Sequence, residues 1–457
     1  MDDRPAAAEF LGEPSVIRMS SAHWRWAIAI LTVIYMLNFL DRQIVNILAE
    51  SIKRDLHLTD AQLGLLTGVG FAIVYAAVGI PIGRLADRHD RPRLLAASLA
   101  IWSLLTALCG AVQGFAALLL CRLGIGAAES ATVPAAHALI VDYTRREKRA
   151  LAISVFQIGG PLGSLLGMAI GGIIAGAFGW RAAFYLAGIP GLIVALVAIF
   201  GLVEPRKGLP KLGAARGAFT RDAGELLRKK AFILMVLGCS LITMRVYGTQ
   251  AFVASFFFRN HAASLAAIGN SVGRFLGIDL SLTAVVGVGL GVLGGIVSIA
   301  GTVAGGYAAD YWARSDVRNY ASAAAVPQLI AVPLFVIGLI WPGAVGALLL
   351  LTLPTFFTAM THAPFYSGIQ ALAGPSNRGT AAALANLSLT VIGLGFGPLL
   401  VGAMSDGFAS TGLSSGEGLR WALVIAEFPA FFGAALMFWS RRYAVAEMET
   451  AVQKLHN

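Results

Sequence analysis

Charge is what this sequence has least of. Over 457 residues Asp, Glu, Lys and Arg make up only 13%, about half the roughly 25% of a soluble domain. That is too little to cover the core of a water-soluble chain of this length. Cysteine is scarce too: Cys109, Cys121 and Cys239 all fall inside apolar runs, which excludes a disulfide framework. The 7 histidines are scattered and give no metal-ligand spacing. The sequence has no Walker A loop and no His-Glu-x-x-His, so ATP-driven work and zinc-dependent hydrolysis have no motif to rest on. No enzyme activity, cofactor or metal is expected.

What fills the chain instead is apolar: 57% of residues, with a mean hydropathy of +0.76. A helix crosses a bilayer in about 20 residues, which leaves room for about twelve. The runs fall near 24–48, 61–84, 94–112, 115–141, 150–177 and 181–203, then near 231–258, 281–311, 320–341, 344–371, 379–405 and 418–440. No small-residue cleavage site ends the first run, so it is expected to stay in the membrane. The net charge of +10 resides in short clusters between runs, the pattern of membrane topology rather than of a nucleic-acid surface. Of the 34 Lys and Arg, 25 lie on the two termini and even-numbered connections and six on the odd ones (Lys53, Arg54, Arg181, Arg259, Arg274, Arg420). That imbalance places both termini in the cytoplasm, with a bacterial-type inner or plasma membrane expected.

The two sets of runs repeat. Gly83-Arg84-Leu85-Ala86-Asp87 recurs as Gly306-Tyr307-Ala308-Ala309-Asp310 at an offset of 223; Pro134 and Arg149 recur as Pro364 and Arg378, and Arg181 and Pro190 as Arg420 and Pro429. The fold class expected is an all-α membrane protein of twelve transmembrane helices in two pseudo-symmetric six-helix bundles, with a transport site between them. The divisions are a tail over 1–22, bundles over 23–203 and 231–442, a basic linker over 204–230 and a tail over 443–457, part of which (443–456) reads as a short amphipathic helix.

The loop Gly83-Arg84-Leu85-Ala86-Asp87-Arg88-His89-Asp90-Arg91-Pro92-Arg93, with its second copy, resembles motif A of the major facilitator superfamily. The resemblance implies that Gly83, Asp87, Arg88 and Arg91, with Asp310 in the repeat, form a cytoplasmic gate that is latched when that side is shut. Four further segments resemble the spinster-like branch: Asn38-Phe39-Leu40-Asp41-Arg42, Arg122 through Glu129, Phe156 through Gly163, and Gly179 through Phe184. That branch carries lysophospholipids or sphingosine phosphates, often with proton coupling, by alternating access.

A charge near the bilayer centre costs about 3 kcal/mol on insertion scales, so it needs a partner or a wet cavity. Six such residues stand out: Asp41, Arg42, Arg122, Glu129, Arg245 and Glu427. Arg122 and Glu129 are seven apart, hence on one helix face two turns from each other. Asn38, Arg42 and Asn46 form a stripe beside Asp41. Asp41 or Glu129 is expected to pair with Arg42 or Arg122. Protonating one carboxylate would leave the cluster at +1, ready for a phosphate that an arginine fork can grip. Asp41 and Glu129 are therefore the proton-coupling candidates. Asn38, Arg42, Arg122, His137, Arg245, Tyr247, Phe357 and His362 are the substrate-binding ones. Glu427 reads as structural.

The second half is aromatic where the first is charged: Tyr247, Phe252, Phe256, Phe257, Phe356, Phe357, Phe365 and Tyr366 lie in its first and fourth helices. That asymmetry suits an amphiphile. Gly289-Leu290-Gly291-Val292-Leu293-Gly294 spells a dinucleotide fingerprint, but inside an apolar helix; its glycines, like Gly287, Gly295, Gly163 and Gly167, are expected to allow close helix packing. The function expected is a proton-coupled lipid carrier, energised by the proton gradient and monomeric, with protons, the bilayer and an amphiphilic lipid or organic anion as partners and no nucleic acid. A symporter of small organic anions and a drug/proton antiporter are the alternatives.

Overall fold

A computed structural model describes residues 20–86, 89–145, 148–205, 218–313, 316, 318–374 and 377–453. Twelve helices are long and apolar enough to cross a membrane. In chain order they are α1 (Ser21–Leu56), α2 (Asp60–Gly79), α3 (Arg91–Cys109), α4 (Phe115–Tyr143), α5 (Leu151–Phe178), α6 (Trp180–Gly201), α7 (Lys230–Asn260), α8 (Leu282–Trp312), α9 (Asn319–Ile340), α10 (Ala344–Ala373), α11 (Arg378–Ser410) and α12 (Ser415–Glu447). The ends are set locally. Ser20 caps α1, Thr59 and Gln62 form a reciprocal capping box on α2, Asp90 caps α3 and Ser281 caps α8, each satisfying backbone N–H groups the helix leaves open. His57, in the left-handed region at φ 53°, ends α1.

The sequence runs match these spans, most bounds to within a few residues, although α1 ends at Leu56 rather than 48 and α12 reaches Glu447 rather than 440; three further differences stand out. A helix not foreseen, Ala262–Leu276, stands between α7 and α8. A second, Ala218–Leu226, occupies part of the linker. The segment read as a separate C-terminal helix is instead continuous with α12, which runs on to Gln453.

The start of α1 and the end of α12 lie at one end of the bundle, here the near end; the other is the far end. The halves meet most extensively along two seams, α2 with α11 and α5 with α8, with α1 against α7 between them. At each, a backbone carbonyl sits where a Cβ would be. A methyl on Gly402 would fall 2.1 Å from the Asp60 oxygen, and one on Gly172 2.6 Å from the Thr283 oxygen. The seams are copies of each other: Gly64 against Pro398 recurs as Gly287 against Met168, at the repeat's own offsets. Small residues let membrane helices approach this closely, and van der Waals contact then does the work that the hydrophobic effect does in water. Both approaches belong to the far ends of their helices. Among the described residues, the near-end parts of α4 (Thr132–Tyr143), α10 (His362–Ala373) and α11 (Arg378–Ser388) have at most marginal contact with the opposite half. The molecule is shut at the far end and parted at the near end.

Candidate functional site

Midway along the bundle, α1 and α4 bring four charges together in two ion pairs. Arg42 donates from Nε (3.0 Å) and Nη2 (2.9 Å) to one oxygen, Oε2, of Glu129. Asp41 accepts from Arg122 Nη1 (3.3 Å) and from Thr106 Oγ1 on α3 (2.5 Å). Arg122 also reaches the Leu66 carbonyl on α2 at 3.5 Å. The sequence foresaw the four charges and that they would pair; the choice of partner comes from helix rotation, which spacing alone does not give.

The pairs differ in access. The side chains of Arg122 and Asp41 are 3% and 5% exposed, a sealed brace among α1, α2, α3 and α4. Arg42 is 16% exposed while Glu129 is wholly buried. The Glu129 Oε1 atom is buried without a hydrogen-bond partner among the described residues. The Arg42 guanidinium lies over the rings of Phe39 (5.5 Å), Phe71 (4.7 Å) and Tyr75 (5.2 Å), and Phe71 is also 5.2 Å from the Arg122 guanidinium. Such faces attract a cation and strengthen as water is excluded. Phe71, Tyr75 and Thr106 were missed in the sequence reading. The i, i+4 spacing of Phe71 and Tyr75 puts them on one face of α2, the one signal that pointed there.

Arg42 borders a cavity of about 30 Å³ at the closed apex, between Gln43 and Phe71 on one half and Tyr247 and Gln250 on the other. That holds about two waters.

The remaining candidates separate. Tyr247 is at this cavity. Asn38 is buried one turn before Arg42. His137 is half-buried with its ring edge-on to Phe156 at 5.4 Å. His362 is exposed on α10 and Phe357 half-buried against Phe356 at 5.3 Å. Arg245, expected at the substrate, is 3% exposed and turned into its own half, where it meets Glu427 at 3.0 Å. Nor do Phe252, Phe256, Phe257 and Phe365 make an aromatic wall; all four are fully buried in helix packing. The gate candidates are likewise apart. Asp87 and Arg88 lie outside the described residues, as does the Gly83 side-chain environment, although α2's helix continues through Gly83 to Ala86. Arg91 is buried in the first half, bonded to Asp142 at 2.7 Å and to Glu204, and Asp310 is exposed.

A second cluster locks the far end. Arg259 on α7 donates to Glu50 on α1 (2.9 Å) and to both carboxylate oxygens of Asp60 on α2 (2.7 Å each). Lys53 and Ser405 add bonds to Asp60 of 2.6 and 2.7 Å. In the sequence Arg259 counted only as a loop charge.

A twelve-span bundle of two repeated halves, pinched at one end around a charged mid-membrane site, is the architecture of a carrier. Residues 31–398 match the family model of the Major Facilitator Superfamily. The chain belongs to that superfamily. It is 31% identical to an MFS-type efflux pump of Mycolicibacterium smegmatis over 91% of this chain and 92% of that protein. It is 27% identical to the hexuronate transporter of Bacillus subtilis over 83% and 87%. Among solved structures it is similar to a bacterial homolog of the human lysosomal transporter spinster in an inward-facing, unoccupied conformation: 27% identity, 94% of this chain and 99% of that one, TM-score 0.82. This superfamily protein is therefore a membrane transporter with spinster-like relatives, in a form shaped like an inward-facing one.

Proposed function

We propose that the protein is a proton-coupled secondary transporter of lysophospholipid or sphingosine-phosphate-like lipids, working by alternating access with its near end in the cytoplasm. The observation that carries this reading is the Arg42–Glu129 pair: one cavity-facing cation, one buried carboxylate and one carboxylate oxygen without a hydrogen-bond partner among the described residues. A proton on Oε1 makes Glu129 neutral and releases the charge of Arg42, which its aromatic faces still hold in place. The guanidinium is then free for an anionic head group, phosphate above all, which it can grip through two parallel bonds. Asp41 and Arg122 brace the helices around it, with Asp41 the alternative proton carrier. Binding on one side and release on the other then follow from which protonation state each face of the membrane favours, the differential affinity that any population shift requires.

A second reading, symport of small organic anions, is favoured by the polar roof of the cavity, where Gln43, Asn46 and Gln250 stand, and by the burial of the aromatic residues expected to hold a tail. The likeness to a hexuronate transporter supports it too. The experiment is flux of a labelled lysophospholipid in proteoliposomes, with and without a pH gradient, beside Glu129→Gln and in competition with a hexuronate. Gradient-stimulated lipid flux that Glu129→Gln abolishes supports the first reading; folded protein that moves the hexuronate and not the lipid supports the second.

A further inference from the structure

Arg245 and Glu427, in the core of the second half, share their bonding pattern with Arg42 and Glu129 in the first, although Arg245 is 3% exposed where Arg42 is 16%. In each, an arginine from the first helix of the half meets a glutamate whose side chain is 0% exposed, at 2.9 Å for Arg42–Glu129 and 3.0 Å for Arg245–Glu427. In each the arginine reaches Oε2 alone, and Oε1 is buried without a hydrogen-bond partner among the described residues. An ion pair whose only task is to pin helices holds best when its remaining lone pairs are satisfied, because desolvation otherwise outweighs attraction. A bare carboxylate oxygen in a core needs another account, and the smallest group that completes it is a proton.

The surroundings are suited to that change of charge. Arg245 Nη2 donates to Thr358 Oγ1 (2.5 Å) and Gln328 Oε1 (3.4 Å), and the guanidinium stands 5.9 Å from the Phe335 ring. These neutral partners would remain when Glu427 loses its charge, as Phe39, Phe71 and Tyr75 would remain for Arg42. Arg245, from α7, is the charged group that acts on Glu427; what α9 and α10 bring to the site, Gln328 and Thr358, is neutral.

Resting on the proton-coupled reading above, we propose that Glu427 is a second proton-carrying carboxylate of the transport cycle and that Arg245 passes its charge state to α10. The step is the addition of one proton from the aqueous phase to Oε1, with no other bond made or broken, which takes the pair from neutral to +1. Arg245 then leans on Thr358 and Gln328 alone. Thr358 is three residues before Thr361, where the regular hydrogen-bond ladder of α10 breaks into a tighter turn, the Thr361 N–H donating to the Thr358 carbonyl at 3.1 Å while the backbone stays helical. Gln328 Nε2 donates to Thr361 Oγ1 at 2.7 Å, and Thr361 donates to the Ala324 carbonyl at 3.0 Å. The arginine therefore holds both the residue before the break and, through Gln328, the break itself. The near-end half of α10, beyond that point, is parted from the first half in this conformation.

The test compares wild type with Glu427→Gln and Glu129→Gln in proteoliposomes, reading two quantities for a labelled lysophospholipid: exchange without any gradient, and the steady-state ratio across the membrane under one pH unit. Each coupled proton multiplies that ratio about tenfold per pH unit. Glu427→Gln is expected to lose about tenfold in the ratio, with one proton fewer per substrate from the reversal potential. A merely structural pair would instead lower exchange and leave the ratio finally reached unchanged, which overturns the proposal. Should the glutamine variant not fold, Glu427→Asp keeps a titratable group and is expected to retain the full stoichiometry with a displaced pH optimum; loss of exchange with an unmoved optimum overturns the proposal. A gradient-sensitive wild type, impaired by Glu129→Gln and unaltered in stoichiometry by Glu427→Gln, overturns this inference alone. A wild type indifferent to the gradient overturns the proton-coupled reading beneath it.

Discussion

The carboxylate of Asp406, near the far end of α11, accepts a hydrogen bond from the backbone N–H of Asp60, the first residue of α2, at 3.0 Å, and a second from Ala61 at 2.8 Å. Thr59 caps the N–H of Gln62 from within the same chain segment. The open donors of one helix are thus shared between a local cap and a carboxylate from the opposite half. Removing a side-chain cap costs about 1 kcal/mol, and an anion at a helix N-terminus also gains from the dipole. Asp406→Asn is expected to shift the balance toward a far-end-open state by about fivefold. Spin-label distances across the α2–α11 seam read this directly, and an unchanged distribution would remove Asp406 from the latch.

Arg259 has more to lose. Its side chain is 5% exposed and joins Glu50 to Asp60. Taking one partner from a buried ion pair strands the others, at about 3 kcal/mol or more. Arg259→Gln is expected to open the far end more than Asp406→Asn does and to lower the thermal midpoint in detergent. A wild-type midpoint with an unchanged seam would contradict this.

The seam also makes a steric prediction with a built-in control. A Cβ on Gly402 meets the Asp60 carbonyl at 2.1 Å, whereas one on Gly407, on the same helix, meets nothing within 4 Å. Gly402→Ala is expected to separate α2 from α11 and reduce transport; Gly407→Ala is expected to leave transport alone. Equal behaviour of the two would mean the close approach is not needed for sealing.

His261, just beyond the end of α7, is buried between Phe256 and Phe257 at 5.5 and 5.7 Å. Burial and then the nearby Arg420 guanidinium hold its imidazole below the usual 6.5. Folding thus favours the neutral ring. Its contribution to stability is complete above pH 6.5 and is lost as the pH falls below that value toward the lowered one, because the unfolded chain takes up the proton first. Between about pH 7.5 and pH 5.5 the wild type is expected to lose more thermal stability than His261→Gln. Parallel melting curves at both values would rule this out.

The twelve spans, the repeat and the charged cluster were legible because each rests on local facts: apolar run length, recurring residues, and the cost of a charge inside a membrane. What was not legible depends on how helices rotate against one another. Arg245 read as a cavity residue because its helix lines the cavity, yet its side chain turns the other way to Glu427. Phe252, Phe256, Phe257 and Phe365 read as a wall for a tail, yet in a helix apolar on every face composition does not show which face looks inward. Asp60, Arg259 and Asp406 sit at span ends 147 to 346 residues apart, where a charge is unremarked until a second half of the chain meets it.

Substrate and proton are proposed to move together through Glu129. The most direct measurement is internal pH, read by a trapped dye, when a lysophospholipid is added to sealed proteoliposomes with no gradient imposed. The account predicts a pH change that tracks lipid flux in the wild type and is absent in Glu129→Gln. Lipid flux in the wild type with no movement of internal pH would contradict it.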